Sequence, residues 1–351
     1  MKILVLGGAG YIGSHTVYKL IEDGHDVVVA DNLQTGHIEA VHPDARFYEG
    51  DIRDRAFLDE LFTKENADIN DAGDDGSMID GIIHFAANSL VAESMRAPLD
   101  YYENNLYGTM VLLGAMVDHD IDKLVFSSTA AVYGEPENIP IMETDHTEPT
   151  NVYGETKLAM EKMIGWTAKV HGLQYVALRY FNACGALAVE TRDVMTEDGA
   201  PFAIGEAHDP ETHLIPLVLQ VPSGKRDSIH IFGADYPTED GTCVRDYIHV
   251  TDLAAAHILA MKYLAKGGQS DTFNLGNGRG FSVAEIVERA CQVTGYPIIS
   301  EIKPRREGDP AILIASNDKA CRVLGWQPEY TDIEDIIRTA WKWHQTHPDG
   351  F

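Results

Sequence analysis

The chain has 351 residues, with 55 acidic against 27 basic side chains and a formal net charge of −28. This balance disfavours nucleic acid and anionic membranes as partners, and solubility explains it more simply than a salty habitat, because the 44% hydrophobic content is ordinary. No apolar run reaches the length of a membrane span or a secretory signal, so we expect a cytoplasmic protein with no membrane partner. Four scattered cysteines and fifteen histidines without an HExxH pattern predict neither a disulfide framework nor a metal site.

Residues 3 to 13, ILVLGGAGYIG, predict a buried strand, a glycine turn and the start of a helix. Glycines at 7, 10 and 13 let backbone N–H groups and a helix N-terminus approach a phosphate. The next strand ends in Asp31, whose carboxylate can accept hydrogen bonds from ribose hydroxyls and would repel a 2′-phosphate. We therefore predict NAD, rather than NADP, as the cofactor.

Strand and helix patterns alternate through the first half of the chain. Strands are predicted within 45–52, 81–88, 123–134 and 175–182, and a long helix within 101–119 carries an apolar stripe of Leu106, Met110, Leu113 and Val117. Such alternation predicts the α/β class, with a Rossmann-like doubly wound parallel sheet and ligands beyond the C-terminal ends of its strands.

The pattern changes after residue 180. A stretch rich in glycine, proline and acidic residues, from 183 to 210, marks a change of domain, whereas the acidic stretch 68–80 reads as a surface loop. We predict an NAD-binding Rossmann domain at 1–180 and a smaller α+β substrate domain at 181–351, with some later segments returning to the first. Ser282 with Glu285, and Thr331 with Glu334, predict capping boxes for two late helices.

Tyr153 and Lys157 lie four residues apart in a helical pattern, which places both side chains on one face. A phenol that titrates near pH 10 needs a neighbouring positive charge to act as a general base near neutrality. Lys157 and a cationic nicotinamide are the expected sources of that charge. Taken alone, the pair also fits a partly exposed helix surface.

Motifs along nearly the whole chain resemble the extended short-chain dehydrogenase/reductase family. They are GGAGYIG, DN at 31 and 32, GDI, HFAA, SSTAAVYG, YGETK, RYFN, DYPTEDGT, VRDYIHV and RREGDP. The likeness is greatest to members that invert C4 of a UDP-hexose. It therefore implies interconversion of UDP-glucose and UDP-galactose with tightly bound NAD.

The resemblance implies a catalytic set of Thr129, Tyr153 and Lys157. Tyr153 would take the proton of the sugar 4-hydroxyl while NAD accepts the hydride from C4, and Thr129 would hydrogen-bond the same oxygen. Lys157 would hold the cofactor ribose. The 4-keto sugar would then rotate before the hydride returns to its other face.

Strand ends and resemblance together give the expected binding residues. For the cofactor these are Gly7, Gly10, Tyr11, Ile12, Gly13, Asp31, Asn32, Asp51, Ile52, Phe85, Ala86, Ala87, Asn104, Ser127, Tyr153, Lys157 and Tyr180. For the UDP-sugar they are Ser89, Thr129, Tyr153, Asn182, His213, Leu214, Ile231, Phe232, Arg245, Arg306, Asp309 and Leu313. Ser89 and His213 depart from some relatives, which carry Lys and Asn there.

Other activities compete with this expectation. Dehydratases of the family place carboxylates directly after the active-site Thr, where this chain has Ala130 and Ala131. Epimerisation of another UDP-sugar, such as UDP-glucuronate, and a non-catalytic NAD-sensing regulator remain alternatives. Leu313 stands where a Tyr would exclude an N-acetyl group, so UDP-GlcNAc is a further expected substrate unless Ile312 or Ile314 faces the sugar. A homodimer is expected.

Overall fold

The computed structural model describes residues 1–66, 78–187, 202–306 and 309–351. Two compact units alternate along the chain. The first comprises Met1–Gly134, Thr147–Arg179 and Ala254–Phe273, and the second comprises Glu135–His146, Tyr180–Leu253 and Asn274–Phe351. The predicted division near residue 180 stays a prediction. The expected loop at 68–80 falls mostly outside the described residues, as does much of the stretch 183–210.

The strands and helices have the following bounds. The strands are β1 (Lys2–Leu6), β2 (Asp26–Asp31), β3 (Arg46–Glu49), β4 (Ile79–His84), β5 (Lys123–Ser127), β6 (Gln174–Tyr180), β7 (Asn182–Cys184), β8 (Ile229–Phe232), β9 (Val244–His249), β10 (Asp271–Leu275), β11 (Gly280–Ser282), β12 (Ser300–Lys303) and β13 (Ile312–Leu313). The α-helices are α1 (Tyr11–Glu22), α2 (Arg55–Glu65), α3 (Val91–Ser94), α4 (Pro98–Tyr101), α5 (Gly108–Asp118), α6 (Val152–His171), α7 (Leu214–Leu219), α8 (Val250–Ala265), α9 (Val283–Thr294), α10 (Asp318–Leu324) and α11 (Ile333–Thr346). Within the described residues, no helix is long and apolar enough to cross a membrane.

A seven-stranded sheet of order β10-β6-β5-β4-β1-β2-β3 forms the centre of the first unit. Neighbouring strands in the run β6-β5-β4-β1-β2-β3 are all parallel. Its strands are apolar on both faces because helices cover both, so Leu4, Val28, Ile82 and Leu124 are fully buried. This confirms the predicted Rossmann-like α/β fold.

The predicted long helix at 101–119 is interrupted. A π-helical segment, Tyr102–Tyr107, separates α4 from α5. A π turn contains more residues than an α turn, so it shifts the phase of the face that follows. Leu113 of the expected apolar stripe is buried, but Met110 is 52% exposed, and the predicted continuous stripe is therefore wrong.

Two small sheets and two amphipathic helices build the second unit. Strand β9 pairs with β7, β11 and β13, and β8 pairs with β12. Helices α9 and α11 pack together through the apolar faces that the sequence predicts, with Ile286 and Ile337 fully buried. Ser282 caps α9 as expected, accepting a hydrogen bond from the Glu285 N–H.

The cap of α11 differs from the prediction. Asp332, not Thr331, is the N-cap, and its Oδ1 accepts a hydrogen bond of 2.9 Å from the Glu334 N–H. A carboxylate is a strong acceptor at this position and also interacts favourably with the helix dipole, so the cap lies one residue later.

Candidate active site

The turn after β1 has no room for a Cβ at Gly7 or at Gly13. Gly7 has a φ of +79°, and a Cβ there would lie 2.6 Å from the backbone nitrogen of Ala86. A Cβ on Gly13 would lie 2.1 Å from the carbonyl oxygen of Gly7. The glycines therefore let the chain after β1 pass close to the end of β4 and to the first turn of α1.

The N-terminus of α1 has the geometry of a phosphate site. Gly10 is its N-cap, with an extended backbone, and no side chain caps the helix. Tyr11 and Ile12 are the first helical residues. Because the N-terminal dipole and amides of this twelve-residue helix favour an anion, the turn fits a dinucleotide diphosphate.

Asp31 is held rigidly at the end of β2. Its carboxylate is 9% exposed and accepts hydrogen bonds from the N–H groups of Ala9, at 3.0 Å, and Leu33, at 2.9 Å. Burial raises the pKa of this carboxyl, and the two backbone donors act in the opposite direction. The carboxylate thus lies beside the glycine turn, where a ribose diol would bind.

The expected adenine contacts follow β3. Asn32 donates to the Asp51 carboxylate at 3.0 Å, and Arg53 pairs with the same carboxylate at 2.7 Å. The Arg53 hydrogen bond lowers the pKa of Asp51 to about 2. Ile52 is buried and packs against Gly108 of α5. The Asp51 carboxylate is therefore held in place by Asn32 and Arg53 and carries a negative charge.

The segment after β4 is linked to α6 by hydrogen bonds of Asn105. Phe85 and Ala86 donate backbone hydrogen bonds to the Leu6 carbonyl, which fixes them and the following Ala87 beside β1. Buried Asn104 donates to Asn105, and Asn105 donates to the Asn88 carbonyl at 3.0 Å and to the hydroxyl of Thr156 on α6 at 3.1 Å. Sequence reasoning missed Asn105. Ser89, by contrast, is exposed.

Helix α6 lies close to the segment that follows β5. A Cβ on Gly154 would stand 2.6 Å from the carbonyl oxygen of Ala131. This close approach brings Tyr153 next to Thr129, whose hydroxyl acts to lower the pKa of the phenol. The same approach places Lys157, 3% exposed, so that its Nζ donates to the Ser127 carbonyl at 2.8 Å. Its Nζ is 6.0 Å from the Tyr153 ring centroid.

Burial disfavours the charged forms of the Tyr153 and Lys157 side chains. It raises the pKa of Tyr153 to about 12, although the Thr129 hydrogen bond acts the other way. It also lowers the pKa of Lys157 to about 7, although the charge of Glu161 acts the other way. Desolvation sets the pKa of Tyr153 in the chain alone, and the expectation that Lys157 and a bound nicotinamide together favour the phenolate stays a prediction.

A buried cluster of charged side chains links α6 to β6, and the sequence analysis did not predict it. Arg179 of β6 donates two hydrogen bonds to Glu161, of 2.9 and 2.6 Å, and a third of 2.9 Å to the Tyr133 hydroxyl. Ser128 donates to the same carboxylate at 2.5 Å. Glu161 lies one helical turn after Lys157, and this spacing of four was the signal available in the sequence.

Four expected UDP-sugar residues of the second unit gather around β9. Arg245 forms an ion pair with Asp309, and Asn182 on β7 donates to the Asp246 carbonyl at 2.9 Å. Leu313 on β13 is the register partner of Arg245. The structure thus brings together residues that are far apart in the sequence.

The remaining expected residues occupy other places. On the second small sheet, Ile231 is buried and the guanidinium of Arg306 lies 4.0 Å from the ring centroid of Phe232. His213 is the N-cap of α7 and Leu214 its first residue. Tyr180, at the end of β6, is buried.

Comparison with known proteins agrees with these features. Residues 3–276 match the NAD dependent epimerase/dehydratase family. The chain is 57% identical over 351 residues to a UDP-glucose 4-epimerase of Halalkalibacterium halodurans, covering 100% of this chain and 98% of that protein. The structure is similar to UDP-glucose 4-epimerase from Brucella ovis in complex with NAD, with TM-score 0.88, 44% identity and 97% coverage of each chain. It is also similar to the UDP-Glc/GlcNAc 4-epimerase of Campylobacter jejuni, with TM-score 0.81, 38% identity, and coverage of 98% of this chain and 99% of that one.

Proposed function

The chain belongs to the NAD dependent epimerase/dehydratase family, and from this premise we propose that it interconverts UDP-glucose and UDP-galactose by inverting C4. It is thus an NAD-dependent isomerase. The observation that carries the proposal is that Tyr153 lies beside Thr129 while Lys157, one turn later on the same helix, is held by the Ser127 carbonyl at the end of β5. A non-catalytic NAD sensor would have no need of this set.

The residues of the first unit fit NAD. The turn at Gly7 and the N-terminus of α1 suit its diphosphate, and the buried carboxylate of Asp31 suits a ribose diol. When bound, NAD supplies the group that removes the C4 hydrogen with its electron pair and later returns it. Lys157, fixed by the Ser127 carbonyl, would hold the second ribose.

Tyr153 is the proposed acid and base. Its phenolate would take the proton from the sugar 4-hydroxyl during oxidation, and its phenol would return that proton when C4 is reduced. Thr129 would donate a hydrogen bond to the same sugar oxygen. Because burial raises the pKa of Tyr153 to about 12, the phenolate needs positive charge beside it, from protonated Lys157 and from oxidised nicotinamide.

The second unit would bind the UDP moiety. Arg245 and Arg306 supply the positive charge that a diphosphate needs in a chain of net charge −28. Asp309 fixes the Arg245 guanidinium, and the Phe232 ring supports that of Arg306. Asn182, Leu214, Ser89 and His213 are further proposed contacts of the UDP-sugar.

The decisive assay mixes purified protein with UDP-galactose and follows UDP-glucose without added NAD or reductant. We expect interconversion to equilibrium from either side. Product from UDP-glucuronate alone would favour the uronate alternative, a dehydrated keto sugar would favour a dehydratase, and NAD binding without turnover would favour a sensor.

UDP-GlcNAc is a second proposed substrate, because Leu313 is half-buried and pairs with Arg245. Adjacent strand residues face opposite sides, and Ile314 packs on Gly280, so Leu313 lies on the other face. Leu313→Tyr should lower kcat/KM for UDP-GlcNAc roughly tenfold or more relative to UDP-glucose. Ile314→Val is the matched control, and an unchanged ratio in Leu313→Tyr would remove the position from substrate selection.

A homodimer and a cytoplasmic location complete the proposal. Helices α4 and α5 and the π-helical segment expose Leu99 (77%), Met110 (52%) and Tyr107 (46%), an apolar face that a second copy would cover. All four cysteines are free thiols, which suits a reducing compartment. Sedimentation of wild type against Leu99→Glu tests the dimer, which should dissociate in the variant.

A further inference from the structure

A cluster of side chains with the chemistry of metal ligands lies in the second unit and shares only His213 with the residues proposed above to contact the substrate. We call it the 206–213 cluster, and it consists of Glu206, His208, Glu211 and His213. One ligand atom from each residue lies within 4.8 Å of the other three. We propose that this cluster binds one divalent first-row transition-metal ion, for which Zn²⁺ is the probe.

Four distances between histidine nitrogens and carboxylate oxygens of the cluster, two of them to different oxygens of Glu211, are near those of a tetrahedral site. The His208 Nδ1 lies 3.3 Å from a Glu206 oxygen and 3.7 Å from a Glu211 oxygen. The His213 Nδ1 lies 2.8 Å from Glu206 and 3.2 Å from Glu211. Ligands about 2.0–2.2 Å from zinc would be separated by about 3.3–3.6 Å, so His213 would move slightly away from the carboxylates and His208 slightly toward Glu211.

One direct hydrogen bond lies within the cluster, between Nδ1 of His213 and Oε1 of Glu211 at 3.2 Å, but the close contacts of Glu206 Oε1 are not aligned as hydrogen bonds. Oε1 of Glu206 is buried and accepts no aligned hydrogen bond, although two imidazole nitrogens lie within 3.3 Å of it. Two carboxylates balance the charge of a divalent ion, so the buried Glu206, 4% exposed, would carry no uncompensated charge.

The backbone holds Glu206 in place before any ion binds. The indole N–H of Trp343 on α11 donates to the Glu206 carbonyl at 3.1 Å. Gly205 lies so close to the same indole that a Cβ would stand 2.3 Å from the ring. Four protein ligands leave no open position, which indicates a structural ion that stabilises the segment preceding α7.

The sequence analysis predicts no metal site because the chain lacks a paired histidine motif of the usual kind. The ligand spacing here is E-x-H-x-x-E-x-H, in which acidic residues alternate with histidines within eight positions. Only the fold of this segment shows that all four side chains converge on one point.

The test measures metal uptake by the full, tag-free protein. After treatment with a chelator and dialysis against micromolar Zn²⁺, wild type should retain one equivalent per chain, and Tm should rise by a few degrees. His208→Gln and Glu211→Gln should each lose the bound metal and the Tm shift. His230→Gln is the matched control, because His230 is also close to a glutamate, Glu301, at 3.9 Å, but belongs to no such cluster.

A spectroscopic measurement decides the case in which a variant fails to fold. Co²⁺ in the wild-type cluster should give the intense visible bands of tetrahedral coordination, and Zn²⁺ should abolish them by competition. Failure of wild type to retain Zn²⁺, or retention of one equivalent in both variants, would overturn the proposal. In that case the two histidines carry protons and pair directly with the carboxylates.

Discussion

Removal of the buried Glu161 carboxylate should strongly destabilise the protein. Glu161 and Arg179 have side chains that are only 9% and 8% exposed, and Glu161 accepts hydrogen bonds from both Arg179 and Ser128. Glu161→Ala would leave the guanidinium without its charge partner, which costs about 3–5 kcal/mol at a buried site. This is a large share of a typical total stability of about 5–15 kcal/mol.

The matched double variant separates the charge effect from packing. Glu161→Leu/Arg179→Met replaces both charges with apolar side chains of similar size and should cost about 1 kcal/mol or less. Urea unfolding followed by intrinsic fluorescence at saturating NAD measures all variants, with exposed Lys162→Ala as the control on the same helix. A loss below about 1 kcal/mol in Glu161→Ala, or a double variant no more stable than that single variant, would refute this reasoning.

Three further predictions concern the reaction and the cofactor. Tyr153→Phe should retain NAD and lose turnover by a hundredfold or more, since only the exchangeable proton is removed; near-normal rates would exclude Tyr153 as the base. NAD should copurify with wild type but not with Gly7→Ala, whose Cβ would meet the Ala86 backbone at 2.6 Å; absorbance of the denatured supernatant measures this. Burial lowers the pKa of Lys157 from 10.5 to about 7. The charged side chain therefore lowers the free energy of unfolding by its full amount below pH 7, and this penalty disappears as the pH rises toward 10.5. Nucleotide-free wild type should therefore gain about 2 kcal/mol relative to Lys157→Met between about pH 7 and 9, by urea unfolding; a constant difference would contradict the lowered pKa.

The sequence predicts well those features that depend on local pattern. Hydrophobic period and residue spacing suffice to place features that lie within one supersecondary unit. These features are the glycine turn, Asp31 at the end of β2 and the Tyr153–Lys157 pair. Ser282 shows the same for a helix cap. The π-helical segment before α5 could not be predicted, because the spacing of apolar residues in a sequence does not show whether one helical turn contains an extra residue.

Features that depend on long-range packing could not be predicted. Arg179 meets Glu161 only because β6 lies beside β5 and α6 covers both, and nothing local marks either side chain as buried. The raised pKa of Tyr153 and the lowered pKa of Lys157 could not be predicted for the same reason, since desolvation depends on every element packed around them. The ion pair of Arg245 with Asp309 likewise requires the pairing of β9 with β13.

The order of strands in the large sheet also has a consequence for synthesis on the ribosome. Strand β10 forms the edge beside β6, and Met261 of α8 packs against Gly81 of β4, so the first unit needs residues up to Phe273. At roughly 5–20 residues per second, those residues follow Arg179 by roughly 5–20 seconds. During that interval the nascent chain exposes the edge of β6 that β10 will pair with and the apolar face of β4 that α8 will cover. Chaperones bind such surfaces, and such surfaces also promote aggregation.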